Sequence, residues 1–148
     1  MPTLTARALF AQNLKHFREK LSVSQTELSR SAGLAKNTVG YIETKQPNVR
    51  LDTVSRLAIS LDVDPCSLLA VAIGAGRSNL ERDLSLAVAA NLKLARGRLG
   101  LTQDKVATAA GLAPNYVYKI EAQRVQVTLD TLDAVGAVLG LPVWQLVA

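Results

Sequence analysis

The stretch SQTELSRSAGLAKNTVGYIE, Ser24–Glu43, decides the fold, because the chain spells a variant of it again as TQDKVATAAGLAPNYVYKIE, Thr102–Glu121. Extending the alignment in both directions pairs Asn13 with Asn91 and Ala70 with Ala148 without an insertion, and 21 of 58 positions are identical. Two copies of this length read as a duplicated domain rather than a solenoid, which needs three or more stacked units. The apolar letters agree between copies and many polar ones do not. That is the pattern of one scaffold carrying two different faces.

Each copy has helical periodicity. Leu14, Phe17 and Leu21 recur at intervals of three and four, as do Leu92, Ala95 and Leu99. Val54, Leu57, Ala58 and Leu61 form one stripe, and Leu132, Val135, Gly136 and Leu139 repeat it. No alternating β-branched run suggests a strand. The spacing predicts helices over 5–21, 24–32, 35–45, 51–61 and 64–73, and again over 79–98, 102–109, 113–122, 128–139 and 142–147. The fold class is therefore all-α, two tandem five-helix domains: 1–74, a linker at 75–78, and 79–148. The joining segment AIGAGRS, Ala72–Ser78, is short. A five-residue connection extends at most roughly 17 Å, so the copies are expected to be packed together or closely tethered.

Start signals support these boundaries. Ser24 with Glu27, and Ser78 with Glu81, have capping-box spacing. Asp64-Pro65 reads as an N-cap before a first-turn proline, and Thr128 is a better cap than its counterpart Arg50.

Composition narrows the function classes. Seventeen Lys and Arg against twelve Asp and Glu give a net charge of +5, which suits a polyanionic partner. Cys66 is the single cysteine, so it reads as a small helical residue with no disulfide or metal cluster. His16 is the single histidine and lacks a second ligand or catalytic partner. No signal peptide or long apolar span is evident, and the expectation is a cytoplasmic, nucleoid-associated protein with no membrane partner. No phosphate loop, nucleophile elbow, metal spacing or paired carboxylate is present, which predicts no enzyme and no cofactor.

Within the unit counted from Gln25, small residues fall at positions five and nine (Ser29 and Gly33; Ala107 and Gly111). Apolar residues fall at four, ten, fifteen and eighteen (Leu28, Leu34, Val39, Ile42; Val106, Leu112, Val117, Ile120). Two short helices crossing steeply need a small residue at the contact and a glycine where the turn has φ > 0. Both units thus resemble the helix-turn-helix of the phage-repressor class, also called Cro/repressor-like or xenobiotic-response-element, over residues 9–70 and 87–148.

The resemblance implies a third helix that enters the DNA major groove and a second that lies across the phosphates. Carried over by position, the groove-facing candidates are Lys36, Asn37, Thr38 and Tyr41, then Pro114, Asn115, Tyr116 and Lys119. Of these, proline has no donor for a base. Asn can bond adenine at two points, Lys can donate to guanine or phosphate, and Thr or Tyr can touch a thymine methyl. Gln25 and Gln103 would contact phosphate and brace the third helix. Lys45, Arg50 and Arg124 are candidate phosphate cations or solvated loop charges. The resemblance also implies buried ion pairs Arg18–Glu43 and Arg96–Glu121. Tyr41 can equally cover a core edge, and Tyr116 and Tyr118 can be packing or interface residues.

The function implied is a sequence-specific, double-stranded-DNA-binding regulator, a repressor occupying an operator. The rival is an antitoxin or protein-interaction module with a protein partner. Three arrangements remain open: an intramolecular pseudo-dimer on unlike half-sites, one reader with one dimerisation module, or a homodimer with up to four readers. The segments PCSLLAVAIGAG (65–76), LSLAVAANLKLA (84–95) and GLPVWQLVA at the C-terminus are more apolar than small cores require, which predicts an interface between copies or between chains.

Overall fold

A computed structural model describes residues 4–71 and 79–148. The expected linker, Ser78 with its capping role, and the end of the helix expected at 64–73 lie outside these residues. Among the described residues the first copy consists of α1 (Ala6–Lys20), α2 (Gln25–Ser31), α3 (Thr38–Lys45), α4 (Leu51–Leu61) and a 3-10 helix (Pro65–Leu69). The second consists of α5 (Leu84–Arg98), α6 (Gln103–Ala109), α7 (Tyr116–Glu121), α8 (Leu129–Leu139) and α9 (Val143–Val147). No strand occurs among them beyond one isolated bridge. None of their helices is long and apolar enough to cross a membrane.

Local chemistry sets the ends. Ser24 Oγ accepts from the Glu27 amide at 3.0 Å, and Thr102 Oγ1 accepts from Lys105 at 3.1 Å. Thr128 caps α8 through its hydroxyl, whereas Arg50 caps α4 without a side-chain bond. Gly33 and Gly111 both have φ +71°, the left-handed turn that glycine adopts without Cβ strain.

Four expected helices differ from those observed. The first helix of the second copy begins at Leu84, not residue 79, because the Asp83 carboxylate caps it by accepting from the Leu86 amide. The element expected at 64–73 is a five-residue 3-10 turn over Pro65–Leu69, with Ala70 extended. Its carbonyls are diverted: buried Asn13 donates Nδ2 to Leu68 O at 3.1 Å and to Ala70 O at 2.9 Å. Asn91 does the same for Leu146 and Ala148 in the second copy. The helices expected from 35 and 113 begin only at Thr38 and Tyr116, so Lys36, Asn37, Pro114 and Asn115 precede them in turns.

Phe10, Leu14, Leu28, Leu57, Leu92, Leu129, Leu132 and Leu146 are fully buried, and a single apolar cluster runs from Ala6 to Val147 across both copies. Burying each such side chain contributes roughly 1.5–3 kcal/mol. The copies meet along a seam where α1 packs on α8, α4 on α5, and the 3-10 helix on α9. At its centre Arg50 and Thr128 form an antiparallel bridge, with Leu51 N–H donating to Val127 O and Leu129 N–H to Val49 O, both at 2.9 Å. Arg50 thus faces its own counterpart, Thr128, in the other copy, and an approximate twofold axis passes through the bridge.

The polar contacts around that axis are not twofold. Arg7 Nε donates to Asp130 at 2.7 Å, the Ala6 amide to Asp133 at 2.9 Å, and Arg82 to both oxygens of buried Asp64 at 2.9 and 3.0 Å. The positions equivalent to Arg7, Asp133 and Arg82 are Ser85, Ser55 and Leu4, which cannot repeat these pairs. The Cys66 thiol, pushed up by burial and then by Asp64, donates to the Trp144 carbonyl across the same seam at 3.5 Å. Leu68, Leu69, Leu84, Leu146 and Val147 are buried, so part of the apolar excess read in the sequence is absorbed here.

Candidate nucleic-acid interface

In each copy three helices are tied at one carboxylate. Arg18 on α1 donates Nε and Nη2 to Glu43 on α3 at 2.7 and 2.9 Å, and Nη1 to Val23 O at 3.0 Å. Gln25, the first residue of α2, donates Nε2 to the same Glu43 at 3.1 Å. The second copy repeats this with Arg96–Glu121 at 2.9 and 3.0 Å and Gln103–Glu121 at 3.1 Å. The glutamate side chains are 4% and 7% exposed. Hydrogen bonds donated to these carboxylates raise both guanidinium pKa values above the ordinary arginine value. Pairing is what makes such buried charges tolerable.

The brace leaves the outer face of α3 and α7 open. Beside the start of α2 lies a hollow of about 350 Å³ lined by Gln25, Thr26, Lys36, Asn37, Gly40, Tyr41, Thr44 and Lys45. The matching hollow in the second copy, about 630 Å³, is lined by Thr102, Gln103, Asp104, Asn115, Tyr118, Lys119, Arg124 and Val125. Most of the candidates named from sequence therefore converge. Lys36, Asn37, Lys45, Asn115, Lys119 and Arg124 are exposed. Tyr41 is 58% exposed, which removes the core-edge alternative.

Four candidates stand apart from these hollows, the exposed Pro114 being one. Thr38 is half-buried at the start of α3. Tyr116 packs partly against the core, so its ring serves the fold more than the surface. Arg50 sits at the seam with its side chain donating to Asp52 at 3.0 Å, outside the first hollow. His16 is exposed and meets only the edge of Phe17, with ring centroids 5.4 Å apart.

The two faces differ in ways the repeat alone hides. Gly40 accommodates Gln25: a Cβ there would lie 3.0 Å from Gln25 Oε1. Tyr118 takes that position in the second copy, 44% exposed, with the Arg124 guanidinium 5.6 Å from its ring centre. Asp104 stands where the first copy has Thr26, so only the second hollow holds a carboxylate beside its cations. Asn115 enters α7 with φ +69°, a left-handed conformation asparagine tolerates, whereas Asn37 has φ −98°. The sequence reading gave Tyr118 only a packing or interface role and did not single out Asp104, and Thr26, Thr44 and Thr102 also line the hollows without having been named as contacts. The signal for Tyr118 was the substitution of Gly40 by a tyrosine at an otherwise matching position.

A helix-turn-helix family model matches the chain twice, at residues 14–68 and 92–143. A hypothetical transcription factor of Neisseria meningitidis serogroup B is 36% identical over 63 residues, covering 43% of this chain and 59% of that protein. The control protein C.SmaI of Serratia marcescens is 32% identical over 63 residues, covering 43% of this chain and 75% of its own length. The crystal structure of the Neisseria hypothetical transcription factor aligns with a TM-score of 0.45 at 32% identity, over 46% of this chain and 78% of that one. With the two matched spans covering more than half its length, the chain belongs to the Cro/C1-type helix-turn-helix family and carries the family's domain twice.

Proposed function

We propose that this protein is a sequence-specific DNA-binding transcriptional regulator that represses by occupying an operator in the cytoplasm, without chemistry or cofactor. The observation that carries the reading is the pair of solvent-open hollows beside α3 and α7, each lined by the glutamine of an Arg–Glu–Gln triad that braces the helix. Asn37, Tyr41 and Lys36 would read base edges, and Lys45 would hold phosphate. Asn115 and Lys119 would act as readers in the second copy, with Arg124 on the backbone and Gln25 and Gln103 at the start of each crossing helix.

The pseudo-twofold seam favours the intramolecular pseudo-dimer among the three arrangements. One chain would set two readers at fixed separation on two half-sites, about 34 Å apart if they follow the family's one-turn spacing. The half-sites would be unlike, because Lys36, Gly40 and Tyr41 face Pro114, Tyr118 and Lys119 at equivalent positions. The first hollow has no carboxylate, which supports the first copy as the stronger reader.

Unbiased selection of bound duplexes, followed by footprinting, tests this. The expected product is a bipartite, non-palindromic site bound by one chain. Asn37→Ala should cost roughly 1–3 kcal/mol at one base position, whereas Lys45→Ala should weaken all duplexes alike and reduce the salt slope. Binding to selected duplex no tighter than to random duplex at modest salt would refute the reading.

A further inference from the structure

Among the apolar surfaces that the described residues leave uncovered, one lies on α5. On α5, Leu86, Ala90 and Leu94 follow one another at four-residue spacing, and all three are exposed, the two leucines by 53% and 54%. Leu99, at the end of the helix, is 54% exposed and lines a shallow hollow of about 250 Å³ with Leu94, Arg98, Leu139 and Leu141.

The first copy supplies an internal control. The same positions on and after α1 are Ala8, Gln12, His16 and Leu21, so this fold does not need leucine at the first and third of them. The charges differ too. Lys15 and Lys20 of α1 have counterparts in Lys93 and Arg98, but Glu19, which pairs with Lys15 at 3.9 Å, is replaced by Gly97. The second copy has kept the cations and lost the carboxylate. α5 contains no acidic residue, and neither Lys93 nor Arg98 forms an ion pair with a carboxylate among the described residues. At 100° per residue, Lys93 lies on one side of the leucine stripe and Arg98 on the other.

We infer that this face of α5 is a docking site for an acidic amphipathic helix of another protein, its leucines laid on Leu86, Ala90 and Leu94 and its carboxylates flanking them against Lys93 and Arg98. A second copy of this chain is a poorer occupant, since pairing the face with itself sets cations against cations. The four-residue spacing of the stripe makes a ridge of the kind that interdigitates with a ridge on a packed partner helix. The inference is independent of DNA reading, since none of these residues lines either hollow.

The test uses the full chain and a synthetic helical peptide with leucines at i, i+4 and i+8 flanked by glutamates, monitored by backbone amide shifts. Saturable shifts confined to 86–99, without shifts over 8–21, are expected. Raising the salt should weaken binding. Leu94→Gln and Arg98→Glu should each weaken it about tenfold, the scale of one lost anchor, while affinity for the selected duplex stays unchanged. Both side chains are exposed, so both variants should fold. No saturable shift at α5, or equal binding of a peptide with lysines in place of the glutamates, would overturn the inference. So would concentration-dependent self-association that Leu94→Gln abolishes, because the face would then join copies of this chain.

Discussion

Removing the Glu43 carboxylate tests the central physical argument most directly. In Glu43→Ala, Arg18 loses two charge-assisted hydrogen bonds, at 2.7 and 2.9 Å, and Gln25 loses one at 3.1 Å. The Arg18 bond to Val23 O survives. The arginine side chain is 13% exposed, so water cannot fully replace the lost partner. Breaking one side of such a buried pair costs about 3–5 kcal/mol, chiefly by stranding the other charge. Partial access at Arg18 places the expectation near the lower end, about 3 kcal/mol. For a chain of this length each kcal/mol lowers Tm by about 2–4 °C, so the drop should be roughly 6–12 °C. Urea unfolding at neutral pH measures the free energy, with the slope checked to ensure that the same surface is exposed. Arg18→Met combined with Glu43→Leu should recover most of the loss in stability, since neither charge is then buried alone. It should not recover duplex binding, because Gln25 remains without its anchor on α3. A Glu43→Ala loss below about 1 kcal/mol would show that the three-helix tie does not hold α3, and the braced-reader account would fail.

Other outcomes follow from separate contacts. Gly136→Ala should destabilise by about 1–3 kcal/mol on unfolding in urea, because the new Cβ would sit 2.7 Å from the Leu141 backbone oxygen. The roughly 1 kcal/mol gain in helix propensity does not offset a clash with backbone. Burial raises the Asp133 pKa above the ordinary aspartate value, although the Ala6 amide opposes this. A raised carboxyl favours the fold while protonated and loses that contribution as pH rises through the folded pKa. Asp133→Asn, which keeps the acceptor, should therefore equal or exceed the parent in stability at neutral pH, with the gap closing in acid, whereas Asp133→Ala should fall below both. Asp130 behaves oppositely: the Arg7 hydrogen bond lowers its pKa, so its contribution is present above the unfolded value and lost as pH falls through the folded one. Arg7→Ala should flatten that acid limb in stability measured by urea titration across pH.

How far the sequence reaches can be judged residue by residue. The Ser29/Gly33 and Ala107/Gly111 spacings fix the two crossing helix pairs because only small side chains and a left-handed turn fit there. The Arg–Glu pairs 25 residues apart, implied by resemblance, form in both copies. Asn13 and Asn91 were visible as identities, yet their role in ending the last helix was not, since it depends on carbonyls more than fifty residues away. The start of α5 at Leu84 is not legible from periodicity, because both Ser78 and Asp83 are capping residue types in the sequence and only the fold shows Asp83 in that role.

By itself, then, the order of residues determined the duplicated all-helical scaffold and which side chains stand near each third helix, because periodicity, caps and small-residue spacing are local constraints. Which of the other polar residues become surface or seam was decided by the tertiary structure. Tyr116 turns toward the core while Tyr118 lies under Arg124, Arg50 joins the bridge, and Asp130 and Asp133 lock onto the start of α1. The physical reason is that such roles depend on desolvation and hydrogen-bond geometry between elements remote in the chain, and these exist only once both copies are packed on one core.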